Sequence, residues 1–132
     1  MTDSKAMKHI LVVDDSPIIR KYIRRALSVC GVEDSQVLDA ENGKVALAML
    51  AEQPVGLVIL DLNMPVLDGP SFLLYLRMHE EFHSIPVAIV STECNVLKRS
   101  ALERLGIAGY LRKPFAPNEL KSLLDEQMEA AA

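Results

Sequence analysis

Apolar residues along this chain fall into short unbroken runs that alternate with segments of helical period. His9-Ile10-Leu11-Val12-Val13 is the first run and reads as a strand stopping at Asp14-Asp15. Ser16-Pro17 supplies a cap and a first-turn proline. Ile18, Ile19, Tyr22, Ile23, Ala26 and Leu27 then recur at helical spacing, with Arg20, Lys21, Arg24 and Arg25 on the other side, which predicts an amphipathic helix ending near Gly31. Residues 36–40 predict a second strand, and Asn42-Gly43 leads into a helix over 45–50 that Pro54 ends. The longest apolar run, Val55-Gly56-Leu57-Val58-Ile59-Leu60, stops on Asp61 and turns at Pro65, as a strand buried on both faces of a parallel sheet would. Beyond the breakers Pro65 and Gly69-Pro70, residues 72–77 predict a short helix. Residues 86–90 predict a fourth buried strand ending at Ser91-Thr92-Glu93, followed by a helix from 96 to 105 closed by Gly106. Residues 107–112 predict a fifth strand running into Lys113-Pro114-Phe115, and a last helix spans 117–128 before a frayed alanine tail.

Five strands alternating with five helices through short loops predict an α/β fold, a doubly wound parallel sheet, since right-handed crossovers leave few other arrangements. No linker, repeat or low-complexity stretch marks a boundary, so one domain is expected over 1–132 with its core at about 8–128.

Composition narrows the function. Of 132 residues, 50% are hydrophobic and 24% charged, enough apolar material for a sizeable core and against disorder. A net charge of −4 provides no overall basic field, so direct nucleic-acid binding is not expected despite the local cluster of Arg20, Lys21, Arg24 and Arg25. No apolar run approaches the roughly 18 residues of a membrane span, and the first residues lack the apolar core of a signal peptide. A cytoplasmic protein with no membrane insertion is therefore expected. Cys30 and Cys94 form no CxxC pair and read as reduced thiols, and His9, His79 and His83 lack metal-pair spacing.

In open parallel sheets reactive groups collect at the carboxyl ends of the strands. Here those ends carry Asp14-Asp15, Asp61, Ser91-Thr92 and Lys113. Three neighbouring carboxylates repel unless a cation compensates, and an all-oxygen acidic site suits a hard divalent ion such as Mg²⁺. Magnesium commonly shares its ligands with phosphate, so a lysine and a hydroxyl in the same pocket point to a phosphoryl group. Asp61 is then a nucleophile toward phosphorus that forms an acyl phosphate. Asp14 and Asp15 hold the metal, the backbone carbonyl of Asn63 completes its shell, and Lys113 and the Ser91 hydroxyl contact the phosphoryl oxygens. Singly, each has an ordinary explanation: an acidic capping pair, a Ser-Thr helix cap, a surface lysine. Their joint occurrence at successive strand ends carries the reading.

Val12-Val13-Asp14-Asp15-Ser16, Leu60-Asp61-Leu62-Asn63-Met64-Pro65 with Asp68-Gly69, Val90-Ser91-Thr92-Glu93 and Gly109-Tyr110-Leu111-Arg112-Lys113-Pro114-Phe115 follow one another in an order and spacing that resembles the receiver domains of two-component response regulators, specifically the single-domain, CheY-like chemotaxis type. The resemblance covers nearly the whole chain. It implies a flavodoxin-like fold of strand order 2-1-3-4-5 and a regulatory protein rather than an enzyme. It also implies that a histidine kinase or phosphotransfer protein phosphorylates Asp61, with Mg²⁺, or Mn²⁺ in its place, held by Asp14 or Asp15, Asp61 and the Asn63 carbonyl. Lys113 would contact the phosphoryl group and the Lys113–Pro114 bond would be cis. Ser91 would move toward the phosphoryl oxygens while Tyr110 turns inward, reshaping the face of the fourth helix, fifth strand and fifth helix for a downstream target. Ile18, Ile19 and Tyr22 would dock the phosphodonor, with the adjacent arginines serving an acidic partner, and the protein would act as a monomer. Thr92 departs from the Ala or Gly usual in relatives and would crowd the path of phosphodonor or water, whereas Asn63 and Glu93 match chemotaxis regulators at positions that influence acyl-phosphate hydrolysis. Three other readings stay open on the residues: a receiver-like interaction module that is never phosphorylated; an Asp-nucleophile phosphatase, which normally wants a second acid where Asn63 stands; and a flavin carrier, whose phosphate loop would replace Asp14-Asp15.

Overall fold

The structure, a computed structural model, describes residues 8–62, 64, 68–92 and 96–131. Strands β1 (His9–Val13), β2 (Val37–Ala40), β3 (Val55–Asp61), β4 (Val87–Ser91) and β5 (Gly109–Arg112) alternate with helices α1 (Pro17–Val29), α2 (Gly43–Glu52), α3 (Gly69–Met78), α4 (Val96–Leu105) and α5 (Pro117–Ala131). All the strand pairings are parallel and the order is β2-β1-β3-β4-β5, the flavodoxin-like arrangement.

The unbroken apolar runs exist because both faces of the inner strands are covered, so both parities of side chain must be hydrophobic. Leu11, Val13, Val58, Leu60 and Ile89 pack with residues of α2, α3 and α4, including Leu50, Phe72, Leu73 and Leu102. The alternate residues Val12, Ile59, Ala88, Val90 and Leu111 pack with Ile23 and Leu27 of α1 and with Leu120 and Leu123 of α5. Two layers of helix therefore sandwich the sheet. No described helix is long and apolar enough to cross a membrane.

Element boundaries depart from the periodicity where side chains cap the backbone. Asn42 accepts from Val45 N–H at 2.9 Å and Asp68 from Ser71 N–H at 2.8 Å, so α2 and α3 begin earlier than their apolar spacing suggests. Gly69-Pro70 is thus the first turn of α3 and not a breaker, because a proline there lacks only a donor the helix start would leave unused. Gln36 leaves β2 for a short 3-10 turn, Asp34–Gln36, where its side chain accepts from Glu33 N–H at 3.0 Å. Strand β5 begins two residues later than expected, at Gly109, β4 takes in Ser91, and α5 continues to Ala131.

Two contacts fix the loops around the sheet edge. At Gly69 an added Cβ would sit 2.7 Å from both the Asp61 carbonyl oxygen and the Leu62 Cα, so the start of α3 lies directly on the backbone that carries Asp61. Arg77, near the end of α3, donates to the carbonyls of Leu105 at 3.0 Å, Gly106 at 2.7 Å and Ile85 at 2.9 Å. Burial pulls the pKa of this guanidinium down, yet it ties the C-terminal end of α4 to the turn before β4 through carbonyl oxygens. Replacing Gly69 with Ala is expected to cost about 1–3 kcal/mol, as overpacking against backbone does. A lowered urea midpoint with unchanged slope checks this.

Candidate functional site

Strand register decides which residues meet. Val13 of β1 lies opposite Leu60 of β3, and Asp61 lies opposite Val90 of β4. Asp14 and Asp61, each the next residue, therefore stand level at the carboxyl edge. Past the strand ends the ladder continues: Asp14 N–H donates to Ala40 O at 3.1 Å, Leu62 N–H to Val90 O at 3.3 Å, and Lys113 N–H to Ser91 O at 2.8 Å. These bonds carry the ordered backbone to the residues that hold the chemistry.

Asp14 is 1% exposed and Asp61 5% exposed. Two carboxylates this dry and this close repel by roughly 3–4 kcal/mol at an effective dielectric near 20. The Lys113 ammonium answers that repulsion, lying 3.2 Å from Asp14 Oδ2 and 3.3 Å from Asp61 Oδ1. The other Asp14 oxygen, Oδ1, accepts the Ser16 N–H at 2.9 Å, and Arg20 donates to the Asp14 carbonyl at 2.5 Å. Asp15 is exposed, and one oxygen each from Asp14, Asp15 and Asp61 lie within 4.8 Å of one another. Three carboxylates less one ammonium leave a formal charge of −2, the deficit a divalent cation supplies, so the donor set fits a hard dication.

Ser91 is fully buried at the end of β4. By alternation it shares the α4 face with Ile89 and Tyr110, the opposite face from Asp14 and Asp61. Tyr110 is half-buried, and Arg99 of α4 stands over its ring at 4.7 Å from the centroid. The Lys113–Pro114 peptide bond is cis. Asn63 and Glu93 lie outside the described residues.

Beside the carboxylates runs an apolar groove of about 410 Å³, with Ile18, Ile19 and Tyr22 of α1 on one side and Thr92, Pro114 and Phe115 on the other. Ile18 is 78% exposed and Tyr22 41%, whereas Ile19 packs partly on the α1–α5 core. Tyr22 donates its hydroxyl to the Phe115 carbonyl, and the two rings meet edge to face with centroids 5.5 Å apart. Thr92 is exposed at the rim next to Lys113.

The four cations of α1 lie off its buried face, and two of them are engaged within the chain. Arg24 bridges Asp34 at 2.6 Å and Asp39 at 2.9 Å; burial pulls its pKa down, but those two carboxylates outweigh it and leave it raised. Arg20 lies 3.7 Å from Asp39 and holds the Asp14 carbonyl. Only Lys21 and Arg25 of the four cations stay exposed. The sequence reading also missed Arg20 and Gly69 as supports of the site. Their spacing from Asp14 and Asp61 carries no signal, because the contacts close across separate elements.

Comparison with known proteins agrees with this geometry. The model of the response regulator receiver domain matches residues 10–125. Chemotaxis protein CheY1 of Helicobacter pylori is 36% identical over 117 residues, covering 88% of this chain and 93% of that protein. The sensor histidine kinase TmoS of Ectopseudomonas mendocina is 35% identical over 113 residues, which span 86% of this chain but 11% of the kinase. Among solved structures, the chemotaxis response regulator CheY4 of Vibrio cholerae superposes with a TM-score of 0.80 at 33% identity, covering 92% of this chain and 98% of that one. The receiver domain of sensor histidine kinase PA1611 from Pseudomonas aeruginosa, solved with magnesium coordinated in its active-site cleft, gives a TM-score of 0.80 at 26% identity over 92% of this chain and 98% of that one.

Removing the ammonium tests the charge balance. Lys113→Met leaves two buried carboxylates facing each other and is expected to cost about 3–5 kcal/mol, as breaking a buried pair does. Adding Asp61→Asn to that variant should restore part of the loss. Urea unfolding in the presence of a chelator reads both effects.

Proposed function

The chain belongs to the response regulator receiver family, a regulatory rather than catalytic class, and on that premise we propose that it is a signalling switch set by phosphorylation of Asp61. The observation that carries the reading is the Asp61 carboxylate, held 3.3 Å from the Lys113 ammonium inside a cluster of three carboxylates.

In this reading an Asp61 oxygen attacks phosphorus of a phosphohistidine on a histidine kinase or phosphotransfer protein. The new P–O bond forms as the P–N bond breaks, and the imidazole leaves with the electron pair and takes up a proton. Asp14, Asp15, Asp61 and the Asn63 carbonyl would hold Mg²⁺ or Mn²⁺, which when bound supplies positive charge to the phosphoryl oxygens. Lys113 exchanges its carboxylate contacts for the phosphoryl oxygens, and the Ser91 hydroxyl donates to another. Movement of Ser91 and Tyr110 on their shared face then alters the surface of α4, β5 and α5 that a target protein binds. The phosphodonor docks in the groove lined by Ile18, Tyr22 and Phe115, with Ile19 forming its floor, and Lys21 and Arg25 are the cations free to meet an acidic partner. A monomeric receiver domain acting in the cytoplasm, with its core at about 8–128, completes the proposal.

Incubation with Mg²⁺ and a small acyl phosphate, followed by intact-mass measurement, tests the assignment. Wild type should gain the mass of one phosphoryl group and Asp61→Asn none; no gain in either, or equal gain in both, refutes it. Omitting the metal, or replacing Asp14 and Asp15 together with Asn, should slow the gain at least tenfold, an effect on the scale of about 1.4 kcal/mol in the barrier. Thr92→Ala should open the rim beside Lys113 and shorten the acyl-phosphate half-life, together with Asn63 and Glu93 as further determinants of that lifetime. Following loss of the phosphoryl mass with time measures it.

A further inference from the structure

Helix α4 meets the rest of the chain through few named side chains among the described residues. Among the described side chains it buries Leu102 and half-buries Leu105, and its C-terminal carbonyls are gripped by Arg77. Arg99 adds a contact of another kind: its guanidinium lies 4.7 Å from the centre of the Tyr110 ring, within the range where a cation is drawn to the negative face of an aromatic. The Nε of the same guanidinium pairs with Glu103 one turn on, at 3.3 Å, so the side chain is held along the helix. Tyr110 lies opposite Ile89 in the β4–β5 ladder, on the sheet face that also carries Ser91. A half-buried tyrosine near the end of a strand can occupy more than one staggered well about χ1. A charge fixed on the facing helix favours the well beneath it.

We propose that Arg99 is a positioning residue that couples the Tyr110 ring to α4, so that ring and helix change position together. This deepens the reading of Tyr110 as the reporter of Asp61 phosphorylation and rests on it. Losing an exposed cation–π contact changes an equilibrium about two- to five-fold, so Arg99→Ala should shift the Tyr110 population by that factor before any phosphorylation.

The chain has three tyrosines, so fluorine NMR of protein labelled with 3-fluorotyrosine, assigned by single Tyr→Phe variants of Tyr22, Tyr75 and Tyr110, reads the ring directly. Spectra of wild type, Arg99→Ala and Arg99→Lys are compared without ligand and with Mg²⁺ plus beryllofluoride, a phosphoryl mimic. The expected result is a Tyr110 resonance displaced in ligand-free Arg99→Ala, an intermediate position in Arg99→Lys, and unmoved Tyr22 and Tyr75. A Tyr110 resonance identical in wild type and Arg99→Ala overturns the proposal, as does an equal shift of all three tyrosines, which would report general loosening. If wild-type Tyr110 ignores beryllofluoride, the switch reading fails and the coupling of ring to switch falls with it, whereas the ligand-free comparison still decides whether Arg99 holds the ring.

Discussion

Two carboxylates on adjacent strands, both almost fully buried, cannot stand level with each other unless something opposes their repulsion, and most of the sheet edge is arranged around that requirement. Lys113 supplies the positive charge from the far side of the sheet, two strands away from β3. Ser16 N–H occupies the Asp14 oxygen that Lys113 does not reach, and Arg20 steadies the same residue through its carbonyl. Gly69 lets the start of α3 close down on the backbone of Asp61 and Leu62. In the proposed switch, a phosphoryl group and a dication on the acids would release the lysine to a new partner without exposing an uncompensated charge.

The alternation of side chains divides the labour between the two faces. Asp14 and Asp61 project on the side of α1 and α5, while Ser91 and Tyr110 project on the side of α4. The two pairs thus lie on opposite faces of one sheet, and the β4 and β5 ends meet at its edge, where Lys113 N–H donates to Ser91 O at 2.8 Å. Among the described residues, helix α4 is joined to this region by the Leu102 contact, the Arg77 clamp and the Arg99–Tyr110 pair.

Helix α1 serves three surfaces at once. Ile23, Ala26 and Leu27 are core, Arg20 and Arg24 hold the edge strand β2 through Asp39, and Ile18 with Tyr22 remain open beside the groove. The Tyr22 hydroxyl on the Phe115 carbonyl joins this helix to the loop that bears Lys113, so the groove wall and the charge-balancing lysine are braced together.

The sequence by itself determined the alternation of strands and helices, because a strand buried on both faces must be apolar at every position and a helix on a sheet must be apolar on one side, and both demands are written in local periodicity. It also put Asp14, Asp61, Ser91 and Lys113 at the ends of the predicted strands, and there the structure has them. Helix starts at Asn42 and Asp68 were less legible, as a cap overrides apolar spacing through one hydrogen bond. Tertiary structure alone decided which carboxylate oxygens the lysine reaches, that Arg20 and Arg24 turn inward to Asp14 and Asp39, that Gly69 must lack a side chain, and that Arg99 lies over Tyr110. Each of those depends on how separate elements are packed against one another, a distance in space that no spacing along the chain encodes.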